Sequence, residues 1–317
     1  MILRHPTDAL VTGFAPRRKF IAAFADVTET THAIADLHGC SPASEWLLAH
    51  TLAAATLLGA PLSEKGESIA LRIDDDGSAG GAYAEFTHGG RLRGYVTRKL
   101  LPDPEGAEGR EPQWSDILGD SMRTKTLWER PGPVPNSVGG FRIRPPSFRA
   151  LVEGHFLRTL HLPTWARFRV RMDDAGVESA MAFMLQCRPD GDLSGFVQRE
   201  RAFSDEGGLD EIFDDPVVDT VRWKFDLDDL SIGNAEPLAF RCDCSRAGSL
   251  VALVALNGPD ILREAVENDA IPSVTCPFCG SVYDFPPDEL RPLLPPSDDK
   301  EDGNGGPDDP TPPQEVG

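Results

Sequence analysis

The longest apolar stretch, EWLLAHTLAAATLLGA at residues 45–60, carries hydrophobic side chains nearly all the way round a helical wheel. Such a segment predicts a helix buried on most faces. Ser44 is placed to cap it and Pro61 lies just beyond its end. Three segments follow in which apolar and polar residues alternate: SIALRIDDDG (68–77), GAYAEFTHGG (81–90) and RLRGYVTRKLL (91–101). Glycine-rich turns part them, so they predict an antiparallel meander with one wet face. PDPEGAEGREPQ (102–113) reads as a solvated loop, GGFRIR (139–144) as a strand, and SFRALVEGHFLRTL (147–160) as a helix capped by Ser147. WARFRVRMDD (165–174) and ESAMAFMLQCR (178–188) read as a hairpin closed by Asp173, Asp174, Ala175 and Gly176. Residues 1–188 are therefore expected to form a mixed α+β domain with an antiparallel sheet and packed helices.

The pattern thins after residue 188. Between 189 and 216 nine acidic residues face two basic ones, and Phe196, Val197, Phe203, Leu209, Ile212 and Phe213 are spread widely. Such a segment buries little surface against its ordering entropy and is expected to be marginally stable. VVDTVRWKFDLDDL (217–230) fits a short helix or a strand equally. An acidic, metastable linker is thus assigned to 189–235, a small cysteine-bearing domain to 236–287, and a disordered acidic Pro/Gly tail to 288–317.

The 317 residues carry a net charge of −20, which repels phosphates and anionic lipid. Neither a nucleic acid nor a membrane is expected as partner. MILRHPTDAL lacks a signal-peptide layout, and the apolar run near residue 50 is short for a membrane span. A cytoplasmic location is expected, and there paired cysteines read first as metal ligands or redox switches.

Four of the six cysteines fall in two tight pairs, Cys242 with Cys244 in FRCDCSR and Cys276 with Cys279 in TCPFCGS, with thirty-one residues between the pairs. Four thiolates suit one tetrahedral Zn²⁺ and leave no position open for a substrate. Helices at 245–256 and 258–269 fill the interval, and SVTC and SVYDF flank the second pair as a small hairpin. Metal binding is the main stabiliser expected of so small a module. Three readings fit the quartet: a purely structural zinc site, an oxidant-driven unfolding switch, and a nucleic-acid-binding zinc ribbon. The single residue between Cys242 and Cys244 favours the switch, because a disulfide there is strained and readily reduced. Cys40 and Cys187 read as free, buried thiols, and His32, His38 and His50 as packing or capping residues, while His155 and His161 have no cysteine or carboxylate at ligand spacing. IDDDG reads as a turn, and Arg91, Arg93, Arg98 and Lys99 as a solvated face balancing nearby acids. No nucleophile elbow, phosphate loop or dinucleotide turn is present.

A C-x-C pair followed about thirty residues later by C-x-x-C, near the C-terminus of a chain of this size, resembles the Hsp33 family of redox-regulated chaperones. GGRLRGYV (89–96), LRTLHLPTWARFRV (157–170) and AMAFMLQCRPDG (180–191) add to the likeness. The resemblance implies an ATP-independent holdase without catalytic turnover. Its reduced form would bind one Zn²⁺ through Cys242, Cys244, Cys276 and Cys279 and be inactive. Oxidation would form Cys242–Cys244 and Cys276–Cys279 disulfides, release zinc, unfold the linker and expose surface for unfolding client proteins, with a homodimer as the oxidised form. The competing expectation is a constitutive zinc-stabilised protein-interaction or nucleic-acid-binding module without redox switching.

Overall fold

The computed structural model describes residue 3 and residues 7–102, 113–133, 136–199, 210–214 and 216–294. The chain forms two units, Met1–Asp243 with Cys276–Ser281, and Cys244–Thr275 with Val282–Gly317. The first opens with strands β1 (Ala9–Ala15) and β2 (Phe20–Asp26), then helices α1 (Thr28–His38) and α2 (Pro42–Gly59). Strands β3 (Ser68–Asp75), β4 (Ala82–Thr87) and β5 (Arg91–Val96) follow, with α3 (Trp114–Leu118), β6 (Met122–Glu129) and β7 (Ser137–Ile143). Next come α4 (Phe148–Leu160), β8 (Thr164–Asp173), β9 (Gly176–Cys187), α5 (Leu193–Gln198), α6 (Asp210–Asp214) and α7 (Val218–Phe225). Three two-residue strands end it: β10 (Ser231–Ile232), β11 (Glu236–Pro237) and β12 (Ala239–Phe240).

These strands make two sheets. One runs β10-β1-β2-β9-β8, with β11 also pairing β1, and all its pairings are antiparallel. The other runs β12-β5-β4-β3-β6-β7, antiparallel except for the parallel pairing of β12 with β5. The α+β class, the meander β3-β4-β5 and the β8–β9 hairpin agree with the sequence pattern. Residues 103–112, most of the expected solvated loop, lie outside the described residues.

α2 is buried at every position but its first, and shares one hydrophobic core with residues of both sheets, among them Ala23, Leu71, Ala84, Phe86 and Ala182. That sandwiching is why its sequence is apolar on all sides. Its N-cap is Ser41 rather than Ser44, because Pro42 has the fixed φ suited to the first turn and extends the helix backwards. Ser44 is buried, and its hydroxyl donates to the Arg98 carbonyl.

A second core lies on the other face of the first sheet, where residues of 192–232 pack. Phe196 stacks on Trp165 at 3.7 Å and meets Phe20 edge-on at 5.3 Å, while Phe213 packs near Phe24. Ile212, Val218, Val221, Phe225, Leu227 and Leu230 are also buried. The segment thus buries more than its composition suggests, since its few apolar side chains are spent on one sheet face instead of on each other. Residues 217–230, undecided between helix and strand, contain α7. Phe203 and Leu209 lie outside the described residues.

The second unit contains α8 (Arg246–Glu267), β13 (Ser273–Thr275), β14 (Val282–Asp284) and the short α9 (Pro287–Leu290), with a 3-10 turn at Arg291–Leu293. Ser245 caps α8 by accepting from Gly248 N, and Gly258, at φ 69°, kinks it into the two helices expected from sequence. β13 and β14 form the expected antiparallel hairpin. Among the described residues the buried core of this unit is small: Leu253, Leu262, Phe285 and Leu290. The part of the expected tail from 295 to 317 lies outside the described residues. Among the described residues no helix is long and apolar enough to cross a membrane.

Candidate metal centre

Parallel pairing of β12 with β5 fixes the approach to the first cysteine pair: Ala239 lies opposite Arg91 and Phe240 opposite Leu92. The chain then runs without regular structure through Cys242 and Cys244. The second pair sits on a tight turn. Cys276 N donates to Ser281 O and Gly280 N to Cys276 O, each at 2.9 Å. Gly280 occupies the left-handed region at φ 70°, which only glycine adopts without strain. Backbone N–H groups of Cys279 and Phe278 point at the Cys276 sulfur and favour its thiolate, whereas burial, the larger effect, pushes that thiol up.

The turn brings the four sulfurs of Cys242, Cys244, Cys276 and Cys279 within 4.8 Å of one another. Cys242 Sγ lies 3.6 Å from Cys276 Sγ. Ligand sulfurs at about 2.3 Å from a tetrahedral ion stand about 3.8 Å apart, so this donor set fits Zn²⁺. Cys244 Sγ is 3.2 Å from the Tyr283 hydroxyl, and Cys279 Sγ is 3.2 Å from Ser281 Oγ. The Tyr283 hydroxyl is placed to donate to a Cys244 thiolate and orient it, whereas Ser281 Oγ accepts from the Cys279 thiol.

Sequence reasoning missed a second feature around the same turn. Phe278, between Cys276 and Cys279, lies against the outward face of β4 and β5. Its ring meets Tyr83 and Tyr95 edge-on, 5.5 Å from each, and the Arg93 guanidinium carbon lies 4.2 Å above it. His38 Nε2 donates to the Phe278 carbonyl at 2.8 Å. The signal lay in the alternation of β4 and β5, which puts Tyr83, Arg93 and Tyr95 on the wet face. What the pattern could not supply was the distant partner. Arg91 and Arg93 pair with Glu85 on that face, as expected of a charge-balanced surface.

The remaining candidates lie elsewhere. Cys40 is half-buried with its thiol pushed up to about 11 by burial, and Cys187 is buried. His50 donates through Nδ1 to the Trp46 carbonyl, His155 contacts Thr126 Oγ1, and His161 ends α4 in the left-handed conformation. His32 Nε2 donates to the Val177 carbonyl. Asp75 of IDDDG accepts from Gly77 N and Gly80 N and shapes a turn.

A family model described as Hsp33 protein matches residues 8–286. A 33 kDa chaperonin of Clostridium perfringens strain SM101 is 24% identical over 299 residues, covering 91% of this chain and 92% of that protein. One from Lactococcus lactis subsp. cremoris SK11 is 25% identical over 295 residues, covering 90% and 99%. The crystal structure of the 33 kDa chaperonin (heat shock protein 33 homolog) of Thermotoga maritima superposes with a TM-score of 0.74 at 18% identity, over 92% of this chain and 98% of that one.

Proposed function

The chain belongs to the Hsp33 protein family, a family of chaperones, and on that premise we propose that it is a redox-regulated, ATP-independent holdase. In the reduced state Cys242, Cys244, Cys276 and Cys279 would hold one Zn²⁺, which supplies a fixed crosslink and no vacant coordination site. The observation that carries this reading is the convergence of four sulfurs from two distant pairs within 4.8 Å.

Each pair would act as one two-electron unit. Cys242 with Cys244 loses two electrons and any sulfur-bound protons as an S–S bond forms, and Cys276 with Cys279 does the same. Two equivalents of hydrogen peroxide take up the four electrons and are reduced to water. The resulting disulfides offer no thiolate to a metal. The buried core of the second unit is then too small to hold its fold alone.

Residues 236–287 would be the switch domain, with α9 and its buried Leu290 packed onto it, and 189–235 the linker that opens with it, while 1–188 provides the scaffold. Opening the linker would uncover apolar surface around Phe20, Phe24 and Trp165 now beneath Phe196 and Phe213. That surface would take unfolding client proteins, with the active form a homodimer in the cytoplasm. The test is light scattering of a thermally unfolding client, with the chain reduced or peroxide-treated and without ATP. Suppression that rises only after oxidation is expected; equal suppression by both forms would reject the switch.

A further inference from the structure

The contacts of Phe278 have the form of a binding site holding a ligand supplied by the chain itself. We propose that the face built by Tyr83, Tyr95, Arg93 and His38 is a seat for an aromatic side chain of an unfolded client, occupied at rest by Phe278. The proposal rests on the holdase reading above and adds to it a location and a ligand chemistry.

The seat stands without its occupant. Tyr83 and Tyr95 are cross-strand partners, stacked at 5.6 Å with their rings 11° from parallel. Glu85 and Arg93 are the next cross-strand partners, and Glu85 Oε2 accepts from Arg93 Nη2 at 2.7 Å. The guanidinium is therefore placed by the sheet and not by Phe278. Tyr83, Arg93 and Tyr95 are partly exposed, alternating along the strands with the buried Ala84, Gly94 and Val96.

What the seat reads is generic. Two ring edges and a cation recognise an aromatic face, and His38 Nε2 recognises the main-chain carbonyl of the same residue. Every Phe in an extended chain presents that pair of features, whereas a folded protein hides most of them. The occupant is also placed to leave. Phe278 lies on the turn between Cys276 and Cys279, so joining those two sulfurs to each other reshapes the segment that presents the ring. The ring and the metal are thus released by one chemical event, and the vacated seat passes to an aromatic residue of the client.

The experiment uses the full-length, reduced, zinc-loaded chain and a dye-labelled unstructured peptide with one Phe, beside the same peptide carrying Ala. Binding is read by fluorescence anisotropy with no oxidant present. Phe278→Ala, with its zinc retained, is expected to bind the Phe peptide about tenfold more tightly than the Ala peptide. The unsubstituted reduced chain should bind neither, and Phe278→Ala with Arg93→Ala should lose the preference. Equal binding of the two peptides by zinc-loaded Phe278→Ala, or no binding, would overturn the proposal. Should Phe278→Ala lose its zinc, the peroxide-treated chain is compared with its Arg93→Ala variant. Loss of the Phe preference in that variant supports the seat and an unchanged preference overturns it. Failure of the holdase reading would appear separately, as client scattering that oxidation does not change.

Discussion

Arg18 Nη1 donates to Asp192 Oδ2 at 2.8 Å, tying the turn between β1 and β2 to the start of the proposed linker. The same guanidinium reaches Asp226 Oδ2 through Nη2 at 2.5 Å, and Arg199 donates to that carboxylate at 2.8 Å. One cation thus holds both ends of the segment 192–226. The pairs are partly exposed and individually weak, but opening the segment must break them together. Arg18→Ala is expected to speed oxidative activation roughly twofold to threefold without changing zinc content. Amide hydrogen exchange across 192–226, before and after peroxide, checks this, and exchange no faster than in the parent chain would contradict it.

Metal removal tests the other half of the proposed switch. Cys242→Ser, or a strong chelator on the reduced chain, is expected to remove a stabilisation on the order of 10 kcal/mol from a unit whose described residues bury only a small apolar core. Helical circular dichroism from α8 is expected to fall while the two sheets persist. Loss of zinc with full retention of that signal would mean that the unit folds on its own.

Tyr283 is expected to temper the reactivity of Cys244. Its hydroxyl, 3.2 Å from Cys244 Sγ, stabilises a thiolate by donating to it. Tyr283→Phe strips the donor and leaves a more nucleophilic sulfur, so peroxide consumption by the zinc-loaded chain should rise severalfold. Stopped-flow thiol loss reads the difference.

Two buried histidines give the first unit a pH dependence. Burial lowers both His50 and His155 to about 4, so the folded chain keeps them neutral where the unfolded chain, near 6.5, takes up protons. Their contribution is intact above about 6.5 and is lost as pH falls toward about 4, at about 1.4 kcal/mol per pH unit for each ring. His50 packs among Trp46, Trp114, Phe148 and Phe168. His50→Phe should therefore remove about half of the slope, followed by fluorescence of the stacked Trp46–Trp114 pair during urea unfolding.

Much of this fold was legible because patterning reported burial directly. α2 was visible since it is enclosed, and β3, β4 and β5 since one of their faces is wet. β1 and β2 were not. Residues 20–26 of β2, FIAAFAD, are buried at every position but Ile21, so no alternation survives, and alanine has weak strand preference. The four clustered cysteines were legible as spacing alone. The contacts of Tyr283 and Phe278 depend on partners distant in sequence, and no local pattern encodes them. Composition likewise understated the segment from 189 onward, because its aromatic residues find their partners on a sheet formed by other parts of the chain.

The central claim is that one set of sulfurs holds a metal when reduced and releases it on becoming two disulfides. It is tested most directly by measuring free thiols and liberated zinc together during a stepwise peroxide titration. The account predicts six thiols falling to two, Cys40 and Cys187, with one ion released per four thiols consumed. Zinc that stays bound while those four thiols disappear, or a reduced chain that carries no metal, would contradict it.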